Sequence, residues 1–218
     1  MYTCVAILSS LLAREKGGEG ATIDMALFDT QLAVMANQAS NALISRMDPP
    51  RQGNTHPNIV PYQPFDAADQ PIIIAVGNDR QFARLAEICG QAGWASDPRF
   101  ATNEMRVANR AEIVDLIAAV IVTKRASEWL EQLEAAGIPA GSINRLSQAL
   151  ADVQIQHRQM VRAIAGVPMV GSPLRLDGDR ADADLPPPAL GHHTAEVIAA
   201  LGLGSGEAER LRAAKIIG

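Results

Sequence analysis

Gly53-Asn54-Thr55-His56-Pro57-Asn58-Ile59-Val60-Pro61-Tyr62 divides this chain. Sequence before it reads as helix, and sequence after it turns at once to a hairpin. Gly53 frees the backbone for positive φ. Pro57 and Pro61 fix their own φ and push His56 and Val60 toward extended conformations. No helix continues through such a run, so a shaped loop is predicted that presents His56, Asn58 and Tyr62 at set angles. Loops of this composition serve binding more often than packing. The same residues also suit a plain connection between helix and hairpin, and the stretch alone leaves both readings open.

Working outward, residues 62–65 and 72–76 predict a hairpin with its turn at 66–70. Gly77-Asn78-Asp79 closes the second strand, and Asp79 is the expected N-cap of a helix at 80–90. A turn at Asp97-Pro98-Arg99-Phe100 precedes a helix at 103–124, whose expected buried face is Ile113, Leu116, Ile117 and Val120. Ser127 is read as the cap of a helix at 128–136. Residues 138–143 are expected to be extended, and 146–152 a short helix. Upstream, residues 1–14 form a helical pattern with Val5, Leu8, Leu11 and Leu12 on one stripe, ended by Gly17, Gly18 and Gly20. A short strand at 21–25 and a long helix at 26–46 follow. Downstream, 161–164, 167–170 and 174–176 read as short strands, 179–189 as a proline-rich connector, and 194–201 and 207–216 as closing helices. The fold class is therefore α/β, with a small α+β lobe. The expected organisation is a helical part at 1–46, a loop and linker at 47–62, a small α/β domain at 63–155, a strand and linker return at 156–190, and terminal helices at 191–218.

Composition narrows the function. The net charge of −5 is wrong for neutralising phosphates, so no nucleic-acid partner is expected. The apolar runs are too short for a membrane span. Cys4 and Cys89 lie far apart in helical patterns and read as reduced core residues, which suits a cytoplasmic protein. Several motifs weaken on inspection. Gly202-Leu203-Gly204-Ser205-Gly206 follows a helix rather than a strand, unlike a dinucleotide loop. His192 and His193 have no third ligand at metal spacing, so no metal site is expected; Thr194 beside them is a helix cap. Arg106, Asn109 and Arg110 read as a solvated helix face rather than an anion site. Trp94 and Trp129 are assigned to the core.

The order of motifs is more specific than any one of them. Leu11-Leu12-Ala13-Arg14-Glu15-Lys16-Gly17-Gly18-Glu19-Gly20 and Ile23-Asp24-Met25-Ala26-Leu27-Phe28-Asp29 are followed by the 53–62 loop. Val76-Gly77-Asn78-Asp79, Asp97-Pro98-Arg99-Phe100 and Arg106-Val107-Ala108-Asn109-Arg110 come next. Gly137-Ile138-Pro139-Ala140-Gly141, Gly171-Ser172-Pro173-Leu174-Arg175-Leu176 and Pro187-Pro188-Ala189-Leu190-Gly191-His192-His193-Thr194 complete the series. In this order, over essentially the whole chain, the sequence resembles the family III CoA-transferases. That group contains formyl-CoA transferase, carnitine CoA-transferase and the 2-methylacyl-CoA racemases.

The resemblance implies a C-terminal half of such an enzyme: a small domain plus helices of a large domain, in a homodimer of interlocked rings. Family members are about twice this long, and their catalytic aspartate precedes the segment that matches Met1. No catalytic residue is therefore expected in this chain, and a complementary N-terminal half is an expected partner. Exposed apolar faces are expected on 1–14 and 26–46. The implied substrates are coenzyme A as an acyl-CoA and a small carboxylic acid, with no metal; the residues that bind coenzyme A are not identified. The implied chemistry is covalent catalysis through an aspartyl-CoA thioester. The family's glycine-rich loop corresponds to Gly53–Pro57, and the substrate-binding candidates are Gly53, Asn54, His56, Pro57 and Tyr62. This sequence departs from the pattern by placing His56 and Pro57 where some members have glycines, and His192 where the Leu-Gly-Glu-His-Thr signature is acidic. Racemase relatives carry a glutamate where Asp79 stands, and Asp79 is the shorter acid in a shorter turn. A 2-methylacyl-CoA racemase and a non-enzymatic fragment that only dimerises are the alternative readings.

Overall fold

The computed structural model describes residues 1–181 and 185–217. Residues 182–184 of the expected connector thus lie outside the described residues. The chain divides into two units, one of residues 1–142 and one from Ile143 onward.

The first unit begins with three helices, α1 (Tyr2–Glu15), α2 (Leu27–Val34) and α3 (Ala36–Ser45). The helix expected over 26–46 is interrupted. The Met35 N–H turns back to Leu32 O rather than one residue further, and Ala36 sits at φ +33°. The strand expected at 21–25 is not formed; that segment pairs with no other strand. The apolar faces of these helices are open: Leu8 is 67% exposed, Leu27 90% and Ile44 85%. Cys4 shares this exposure and is not a core residue.

A mixed lobe follows. Strand β1 (Tyr62–Asp66) pairs antiparallel with β2 (Pro71–Ala75), with Phe65 opposite Ile72. Alternation decides which side is buried: Gln63 and Phe65 point inward from β1, Ile72 and Ile74 from β2. Helix α4 (Asp79–Ile88) comes next, then a short 3₁₀ turn at Ala92–Ala95, α5 (Asn103–Ala108), α6 (Arg110–Ile121), α7 (Ala126–Ala135) and β3 (Ala140–Ser142). Strand β3 pairs antiparallel with β2, giving the sheet order β1-β2-β3.

The core forms where the helices meet this sheet. Phe82 and Leu85 of α4, Ile113, Ile117 and Ile121 of α6, and Trp129 and Leu133 of α7 are buried with Ile72 and Ile74. The buried stripe of α6 runs at four-residue steps, which leaves Leu116 partly exposed and Val120 at the margin. Trp129 donates its indole N–H to Ile121 O at 2.7 Å, so its one polar atom is satisfied inside the core. Trp94 packs at the edge of the cluster, only partly buried. Cys89 is buried there, and loss of water pushes its thiol pKa up to about 11.

Helix starts differ from the expected caps in instructive ways. Asn78, not Asp79, caps α4: its side chain accepts the Gln81 N–H at 2.9 Å, while Gln81 accepts the Gly77 N–H at 2.7 Å. Asn78→Ala is expected to cost about 1 kcal/mol in urea unfolding, and Asn78→Asp to keep the wild-type midpoint because it keeps the acceptor. Ser127 is not a cap either. The start of α7 is held by Asp69 of the hairpin turn, which accepts the Ala126 N–H at 2.8 Å. That bond, with Arg125 nearby, holds the Asp69 carboxyl below the usual carboxylate range. The helix expected over 103–124 breaks at Asn109, whose side chain donates to Met105 O and Arg99 O.

The second unit holds α8 (Leu146–Ala151) and α9 (Val153–His157), the hairpin of β4 (Val161–Ile164) and β5 (Val167–Val170), a smaller pair of β6 (Arg175–Leu176) and β7 (Asp179–Arg180), and α10 (Thr194–Ala200) and α11 (Ser205–Ala213). Thr194 is the first residue of α10 rather than its cap; His193 occupies the cap position without a side-chain bond. Among the described residues, no helix is long and apolar enough to cross a membrane.

Candidate functional site

The loop between α3 and β1 is held chiefly from outside itself. Gly53 takes φ +59°, the left-handed conformation its lack of a Cβ permits. Thr55 then folds back on Gln52, donating its N–H at 3.2 Å and its hydroxyl at 2.8 Å to Gln52 O, and the His56 N–H donates to Tyr62 O at 2.9 Å. The two rings stack, with centroids 5.2 Å apart and planes 11° from parallel. The Asn58 N–H donates to His56 Nδ1 at 3.1 Å. Nδ1 is therefore the acceptor nitrogen, and in the neutral ring the proton sits on Nε2. No described residue partners Nε2. His56, Pro57 and Tyr62 are thus brought together. Gly53 and Asn54 lie on the exposed outer bend, where Asn54 has no side-chain partner among the described residues.

Side chains of α5 and α6 grip the loop backbone. Asn103 accepts the Val60 N–H at 3.1 Å and donates to Asn58 O at 2.8 Å. Arg106 donates to Val60 O at 2.7 Å, to Phe100 O at 2.8 Å and to Asp79 at 2.9 Å, with its guanidinium 4.2 Å from the centre of the Phe82 ring. Arg110 donates to Pro57 O at 2.7 Å. From the other side, Asn41 of α3 pairs with Asn58 through their carboxamides. A cleft of about 360 Å³ lies there, lined by Gln38, Asn41, Asp48, Gln52, Pro57 and Asn58 among others.

Arg106 and Arg110 are thereby corrected from a solvated helix face to internal struts. Arg106 is 0% exposed. Burial pulls both guanidinium pKa values down, and Asp79 opposes that shift at Arg106. Two buried polar atoms beside the loop, Gln38 Oε1 and Arg110 Nη1, have no hydrogen-bond partner among the described residues. Asn103 escaped the sequence reading, since its partners lie 43 and 45 residues away and nothing local singles it out. Asp79 pairs with Arg106 through one carboxylate oxygen at 2.9 Å. His192 and His193 meet edge to face at 4.7 Å. Among the described residues, no group of three or more His, Cys, Asp and Glu is placed to hold a metal.

Comparison with known proteins places this geometry in a family. The description CoA-transferase family III matches residues 1–194. The succinate–glutarate CoA-transferase of Agrobacterium fabrum is 41% identical over 206 residues, which is 92% of this chain and 52% of that protein. The succinyl-CoA:glutarate CoA-transferase of Mus musculus is 32% identical over 203 residues, 91% of this chain and 47% of that protein. Among solved structures, a CAIB/BAIF family protein from Brucella suis aligns with a TM-score of 0.73 at 42% identity, covering 92% of this chain and 53% of that one. The chain spans about half the length of the curated relatives it matches. Its motif order, its mixed lobe and these alignments agree: the chain belongs to CoA-transferase family III.

Proposed function

We propose that this chain forms the small lobe and the substrate-facing loop of an enzyme that moves coenzyme A from an acyl-CoA to a small carboxylic acid. Support comes from the relatives, which are CoA-transferases named for succinate and glutarate. Both are dicarboxylates, so the acceptor proposed here is a dicarboxylate. The observation that carries the loop's part is the hydrogen bond from the Asn58 N–H to His56 Nδ1. With Nδ1 occupied by the Asn58 N–H, the ring offers one donor, Nε2–H, to an incoming carboxylate oxygen.

In this reading the nucleophile is a carboxylate on residues outside these 218. It attacks the donor thioester, giving a mixed anhydride and CoA thiolate. The thiolate attacks the enzyme's own acyl carbon, releasing the donor acid and leaving an aspartyl-CoA thioester. The acceptor carboxylate then attacks that thioester, freeing the thiolate again within a second anhydride complex. Thiolate attack on the acceptor carbonyl yields the new acyl-CoA and restores the aspartate. The loop's contribution is to orient the acceptor carboxylate and exclude water, which would hydrolyse either anhydride. The proposed assembly is a homodimer containing the complementary half.

The test incubates the chain together with its complementary half, succinyl-CoA and glutarate. Coenzyme A is expected on glutarate, and this chain alone is expected to transfer none. Deuterium exchange at the carbon α to the thioester carbonyl without transfer would instead establish the racemase. No reaction of either kind in the assembled protein would establish a non-enzymatic fragment.

A further inference from the structure

We propose that Asn103 is a positioning residue for His56, an assignment that deepens the acceptor-binding reading above and rests on it. The loop backbone between His56 and Val60 cannot hold itself. Its own bonds are His56 N–H to Tyr62 O, which closes the loop, and Asn58 N–H to the His56 ring; the Asn58 carbonyl and both backbone polar groups of Val60 are left to external partners. The Asn103 carboxamide supplies two of them at once. Its oxygen takes the Val60 N–H and its nitrogen gives to Asn58 O, two residues back along the chain. A carboxamide holding an acceptor at one residue and a donor two residues on imitates the peptide group of a neighbouring strand. Asn103 thus acts as a one-residue ladder rung.

The consequence reaches His56 through a single residue. The peptide N–H of Asn58 points at His56 Nδ1, while its carbonyl is fixed by Asn103. The Asn58 N–H shares its peptide plane with Pro57 O, which Arg110 holds, while the Asn58 carbonyl lies in the next plane, which Asn103 holds; pinning that second plane limits how far Asn58 can move and so keeps the N–H on Nδ1. That contact selects the tautomer and holds the ring over Tyr62. The other grips differ in kind. Arg106 also serves Phe100 and Asp79, so its loss disturbs the lobe at large, and Arg110 holds the peptide unit before Asn58 by a single bond to Pro57 O. Asn103 is the one of the three that bonds Asn58.

Ring-to-ring nuclear Overhauser contacts between His56 and Tyr62 test this in the 218-residue chain without any turnover. Asn103→Ala is expected to abolish them. Asn103→Asp is expected to do the same: it faces Asn58 O with a second oxygen, yet places an acid at the first residue of α5, where the helix favours it. That variant keeps the lobe folded if alanine does not. Asn109→Ala removes a carboxamide of the same helical region that serves Arg99 O and Met105 O instead, and is expected to keep the ring contacts. Ring contacts that persist in a folded Asn103→Asp would overturn the assignment. In the assembled enzyme, Asn103→Ala is expected to raise the acceptor KM about tenfold. Adding it to His56→Ala should change KM by no more than about twofold further, because both act through one ring. Independent, multiplying effects would overturn it. An unchanged KM in His56→Ala alone would sink the acceptor-binding reading but not the ring measurement, so the two failures are distinguishable.

Discussion

Replacing Arg106 by leucine is expected to destabilise the first unit by about 3–5 kcal/mol, the range for removing one member of a buried charged network. The side chain is fully buried and makes three bonds. Its loss strands the carbonyls of Val60 and Phe100, both on fully buried residues, and each stranded acceptor costs about 1–3 kcal/mol. Asp79 contributes less, since its side chain is 54% exposed and water replaces the guanidinium there. Asp79→Asn is accordingly expected to cost under about 1 kcal/mol. Arg106→Lys should fall close to Arg106→Leu, because one ammonium cannot span two carbonyls and a carboxylate set around a planar fork. Urea unfolding followed by tryptophan fluorescence reads all three, with Trp129 at the centre of the same core. A loss below about 1 kcal/mol for leucine would mean that both carbonyls find water, and the strut would be dispensable.

Arg106 also marks where reading the sequence stops. Hairpin, loop and most helices follow from local rules: alternation in Phe65, Ile72 and Ile74, and the φ demands of Gly53 and Pro57. Those rules see a window of a few residues. The partners of Arg106 are 46, 6 and 27 residues away, so an arginine that is fully buried reads as a charge on a helix. The same limit hides Asp69, which caps a helix 57 residues later while Ser127 offers a nearer and wrong candidate. The break at Asn109 is local yet ambiguous, since a carboxamide inside a helical pattern either faces water or competes for a carbonyl. The loop was legible as a loop, with His56, Asn58 and Tyr62 as the side chains expected on it. The stacking of the two rings and the Asn103 rung were not, because both depend on backbone delivered from another part of the chain.

In the assembled enzyme, His56→Ala is expected to raise the acceptor KM about ten- to a hundredfold while moving kcat far less. A hydrogen bond to a charged group contributes about 1.5–3 kcal/mol, and that range converts to this one. The bond forms on binding the carboxylate and persists until it attacks, so its loss weakens ground and transition states alike, which is the pattern of a KM effect. The donor acyl-CoA KM should stay put, because its acid leaves before the acceptor is bound. Alanine alone would confound two losses, the donor and the stack on Tyr62. His56→Gln separates them, since a glutamine Nε2 lies near the position of the imidazole Nε2 and gives an N–H without a ring. Recovery of most of the affinity in His56→Gln would assign the effect to the donated proton. Recovery only in an aromatic variant such as His56→Phe would assign it to shape, leaving the carboxylate to another donor. An acceptor KM unmoved by all three would remove His56 from the site altogether.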